Sequence, residues 1–146
     1  MDFFSAMQVS SSALSAERTR MNLISANLAN ANSTRTAEGG PYKRKDAVFA
    51  ATQVGEGFRS ALDRMRKNAP QGVQVTGIVE DPNPPRLQYD PSHPDADAKG
   101  YVALPNVNVV EEMADMIAAT RAYEANVTAM QAAKNMALKT LEIGSR

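Results

Sequence analysis

Met7, Leu14, Met21 and Leu28 return at seven-residue intervals, with Phe3 and Ile24 close by on the helical wheel. This period predicts a helix from Phe3 to about Ala31 with one narrow apolar stripe of the coiled-coil kind. Ser10, Ser11, Glu17 and Ser25 fall on or beside the stripe and make it a weak zipper. At about 100° per residue, Leu23, Asn27 and Asn30 share a second lane with Val9 and Ala16, so this helix offers two faces to neighbours. Asparagine is a poor helix-interior residue whose amide competes for backbone hydrogen bonds. The four in "NLISANLANAN" (Asn22, Asn27, Asn30 and Asn32) therefore need a purpose other than helix formation.

A second, longer helix is predicted from about Val109 to Ile143. Val109, Met113, Met116, Thr120, Tyr123, Val127, Met130, Leu138 and Leu141 form a continuous stripe, with Asp115, Arg121 and Lys139 elsewhere on the wheel. Glu111 and Glu112 oppose the helix dipole at the amino end, and Gly144 stands where a C-terminal cap is expected. Lys134 falls inside the stripe, where its methylenes pack and its ammonium reaches the edge or a partner's acceptor.

Between the helices the period changes. "NSTRTAEGGPYKRKD" is turn-forming, and "AVFAATQV" and "GVQVTGIVE" have the β-branched content of strands. Phe58, Leu62 and Met65 have the spacing of a short helix. The proline-rich run after Glu80 excludes a long helix and leaves room for short extended pieces around Leu87, Tyr89 and Tyr101. The expected fold is α+β: two long terminal helices packed as a coiled-coil-like pair, with a small β-rich insert projecting from one end. The boundaries are residues 1–33, 34–106 and 107–146. Met7, Leu14, Met21 and Leu28 are assigned to the helix-pair seam with Met113, Met116, Tyr123, Val127, Met130 and Leu141.

Composition sharpens this picture. Alanine and 8 methionines supply much of the apolar content, so the core of one chain is thin. With 16 basic and 16 acidic side chains and no long run of either sign, nothing marks a nucleic-acid or anionic-membrane surface. Lys43-Arg44-Lys45 reads as a solvated loop. The chain has 0 cysteines, which excludes disulfides and thiolate metal sites. The start, "MDFFSAMQVSSS", lacks the form of a cleaved secretory signal, and no run is long and apolar enough to span a membrane.

Chemistry finds no foothold. His93 beside Asp95 and Asp97 sits on a proline-rich loop without the ligand spacing of a transition-metal or calcium site. Ser10, Ser11 and Ser12 have no positioned base, and Gly39-Gly40 lacks the context of a phosphate loop. Glu111, Glu112 and Asp115 read as helix-start charges. No catalytic, cofactor or metal residue is assigned.

"SANLANANSTRT", "GGPYKRKD", "VTGIVEDPNPPRLQYDPSHPDADAKGYVALPNVNVVEEM" and "TRAYEANVTAMQAAKNMALKTLEIG" together resemble the rod and hook axial proteins of the bacterial flagellum. The proline-rich stretch joined to "PNVNVVEEM" is similar to the proximal rod members. The resemblance implies a non-enzymatic, self-assembling, torque-transmitting subunit of the basal body, without cofactors. It implies export by the type III apparatus without a cleaved signal and assembly in the periplasm. Implied partners are other rod subunits, further copies of the chain and an adaptor at the rod base; nucleic acid and direct membrane insertion are not implied. In such a tube Leu23, Asn27 and Asn30 are expected to form an inter-subunit lane, the amides bridging non-identical neighbours. The alternatives are a soluble helical adaptor or export chaperone, or a different rod subunit.

Overall fold

The structure, a computed structural model of the chain, describes residues 3–53 and 71–144. Helix α1 spans Phe3–Ala29, 27 residues, and helix α2 spans Val109–Gly144, 36 residues. They are about 40 Å and 54 Å long. The pair is antiparallel: Arg20 meets Asp115 at 3.5 Å, and Asn27 bonds Glu112 at 3.1 Å. Asn108 caps α2, its Oδ1 accepting from the Val110 amide at 3.1 Å and its carbonyl from the Glu112 amide at 3.0 Å.

The α+β architecture is as the periodicity predicts, but the seam of α2 is rotated. Met116, Tyr123, Val127 and Met130 are half-buried, whereas Met113, Leu138 and Leu141 are exposed, as is Lys134. The most buried positions on this helix are Glu112, Ala119 and Ala133, seven and then fourteen residues apart and so on one line of the helix. Among the described elements α2 packs on α1 alone, so these residues mark the line of closest approach. Helices that approach closely put their smallest side chains on the contact line and push bulky ones to its flanks. On α1, Met7, Leu14, Met21 and Leu28 are all half-buried, flanking the buried Ala16, Ile24 and Asn27.

Both predicted strands form. β1 (Lys45–Gln53) and β2 (Gln71–Glu80) make an antiparallel ribbon from Lys45 opposite Glu80 to Gln53 opposite Gln71, with a register shift between Val48 and Phe49. The expected helix around Phe58, Leu62 and Met65 lies outside the described residues. The ribbon does not project from one end, as the sequence suggests, but lies back along α1. The Ser12 hydroxyl accepts the Val73 amide at 3.1 Å while donating to the Val9 carbonyl at 2.7 Å. The second face of α1 is thus occupied by the chain's own ribbon.

β3 (Arg86–Tyr89) and β4 (Tyr101–Leu104) form a hairpin in register from Arg86 opposite Leu104 to Tyr89 opposite Tyr101. Val102 is buried on one face; Leu87, Tyr89 and Tyr101 stand exposed on the other, the two rings edge-on at 5.3 Å. Gly100 has φ +81, and a Cβ there would meet the Tyr89 ring at 3.0 Å, so the return turn requires glycine. Asp95 accepts from the Thr34 hydroxyl at 2.8 Å, tying the hairpin loop to the end of α1.

The middle of the pair carries a defect. Glu17 lies on the stripe of α1, and its Oε2 is buried without a hydrogen-bond partner among the described residues. An unsatisfied buried oxygen costs about 1–3 kcal/mol. Glu17→Leu is therefore expected to stabilise the isolated chain by about 1 kcal/mol or more, read as a higher urea midpoint. A lower midpoint in far-UV circular dichroism would contradict this.

Candidate assembly interface

The end of α1, the turn after it, the start of β1 and the start of α2 meet in one polar clasp. Three local features bring them there. Asn30 closes α1, its side chain donating to the Ala26 carbonyl at 2.9 Å and accepting from Ser33 Oγ at 3.1 Å. Gly39 and Gly40, at φ 88 and 79, reverse the chain, and the Tyr42 amide returns to the Ser33 carbonyl at 3.1 Å. The Asn108 cap fixes the first turn of α2.

Asn27 is the centre of the clasp and is 1% exposed. Its Nδ2 donates to the Lys45 carbonyl at 2.9 Å and to Glu112 Oε2 at 3.1 Å. Its Oδ1 accepts from the Lys45 amide and the Tyr42 hydroxyl, each at 3.0 Å. All four bonding positions of the amide are filled. Toward Lys45 it behaves as a strand would, meeting both backbone groups at the ribbon edge.

Glu112, also 1% exposed, has Oε2 on Asn27 and Oε1 on Arg44 Nε at 2.6 Å. Arg44 reaches on to Asp46 at 3.3 Å and Asp115 at 3.9 Å, and Asp115 also meets Arg20. Burial disfavours the Arg44 cation, but the hydrogen bond and charge of Glu112, with Asp46, prevail and hold it above its ordinary value. Burial also pushes the Tyr42 phenol up; Lys45 opposes this, while Glu112 and Glu80 reinforce it.

The Tyr42 shift has a testable sign. The folded chain keeps this phenol protonated where the unfolded chain ionises it. The associated stability is intact below the unfolded value, about pH 10, and is lost as pH rises through the higher folded value. Phenolate absorbance should show one late-titrating tyrosine, absent in Tyr42→Phe. A wild-type titration identical to that of the variant apart from amplitude would refute the assignment.

Of the residues assigned to an inter-subunit lane, Asn27 must be reassigned: its amide is saturated inside the chain and has nothing to offer a neighbour. Leu23 and Asn30 are half-buried, and Asn30 serves the end of its own helix. Arg44 is no solvated loop residue, and Glu112 is no mere helix-start charge. Both contributions are invisible to local pattern. The one usable signal for Glu112 is its place seven residues before Ala119, on the line of small side chains.

The clasp leaves large apolar surfaces outward. On α2, Val110, Met113 and Ile117 are 75%, 55% and 58% exposed, and Leu138, Leu141 and Ile143 are exposed further along. The chain exposes 10460 Å² in total for its 15.7 kDa. A compact monomer of that mass exposes about 7,300 Å², and a standard interface covers about 800 Å² per partner. The surplus is several interfaces' worth. Among the described residues, no group of three or more His, Cys, Asp or Glu side chains is placed to hold a metal ion, and no helix is long and apolar enough to cross a membrane.

Comparison with known proteins gives matches at both ends. A family model described as "Flagella basal body rod protein" matches residues 7–35, and one described as "Flagellar basal body rod FlgEFG protein C-terminal" matches residues 98–143. Three curated relatives, each called flagellar basal-body rod protein FlgC, are similar throughout. The one from Bacillus subtilis is 47% identical over 151 aligned positions, covering 99% of both chains. That from Borreliella burgdorferi is 45% identical over 149, covering 98% of both, and that from Salmonella typhimurium 38% over 144, covering 99% of both.

Proposed function

The chain belongs to the family of flagellar basal-body rod proteins, and from that membership we propose that it is a structural, non-enzymatic subunit of the proximal rod that assembles with copies of itself and other axial proteins into a torque-transmitting tube. The observation that carries this reading is the surplus of surface: two long helices packed on one narrow line of alanines, with bulky side chains left facing outward. Such a subunit completes its core only among neighbours, and self-association through repeated non-identical surfaces builds a filament.

The partners proposed are other rod subunits, the adaptor at the rod base and the type III export apparatus. The proposed location is the periplasmic part of the basal body. A competing reading, a cytosolic helical adaptor or export chaperone, would use the same apolar faces on a client. Fractionation separates the two. The epitope-tagged chain, complementing a deletion, is expected to sediment with detergent-resistant basal bodies and to restore swimming. A chain found only in the cytosolic fraction rejects the structural reading.

A further inference from the structure

We draw no further inference here: the strongest candidate, the exposed Leu138 and Leu141 at the far end of α2, on the face that meets α1 further back, carries nothing because nothing in the structure shows what covers it.

Discussion

Glu112→Ala is expected to cost the isolated chain about 3–5 kcal/mol, as removal of one member of a buried ion pair does. The glutamate is fully enclosed, and its loss takes from the Arg44 guanidinium, itself only about a quarter exposed, its closest and most buried carboxylate, leaving it Asp46 and Asp115, and leaves an Asn27 donor unpaired. Small domains are stable by only about 5–15 kcal/mol, so much of the available margin goes. Glu112→Gln keeps an acceptor for only one of its two donor neighbours and turns an amide NH2 toward the other, so it should recover part of the loss and fall between wild type and alanine. Urea unfolding followed by circular dichroism reads all three. An alanine variant with an unchanged midpoint would show that the clasp contributes nothing to holding the ribbon on the helix pair.

Asn27 gives the second large effect. Asn27→Ala leaves the Lys45 amide and carbonyl and the Tyr42 hydroxyl short of partners, at roughly 3 kcal/mol or more in total. Asn27→Asp has the same shape and is more informative. It keeps both acceptors, cannot donate to the Lys45 carbonyl, and sets a second carboxylate where Nδ2 lies 3.1 Å from Glu112. Two carboxylates so placed cannot both ionise cheaply, so the pair holds a proton above the usual carboxylate range. A raised folded value means stability that is present at low pH and lost as pH rises through it. Asn27→Asp should therefore be more stable near pH 5 than near pH 7, a slope that Asn27→Ala lacks. A flat profile for the aspartate variant would place Asn27 outside contact with Glu112.

Both variants bear on what a sequence can disclose. The helices and strands were readable because their signals are local: sevens along α1, the continuous stripe from Val109 to Leu141, β-branched runs, and prolines around Leu87 and Tyr101. The second face of α1 was readable as a face, but not by whom it is used. An asparagine beside alanines has the same spacing whether it meets a neighbour or, as Asn27 does, the backbone of Lys45 18 residues on. Glu112 was harder still. Its partner Asn27 is 85 residues away in sequence, and no local period connects them. The seam of α2 shifted for a packing reason: bulk marks a stripe on paper, whereas the closest approach selects Ala119 and Ala133.

The unequal helices leave a lasting asymmetry. One end of the pair is bolted by Asn27, Arg44 and Glu112; at the other, 36 residues run alongside 27, and Leu141 and Ile143 extend bare. A brick finished at one end and raw at the other gives any column built from it a head and a tail.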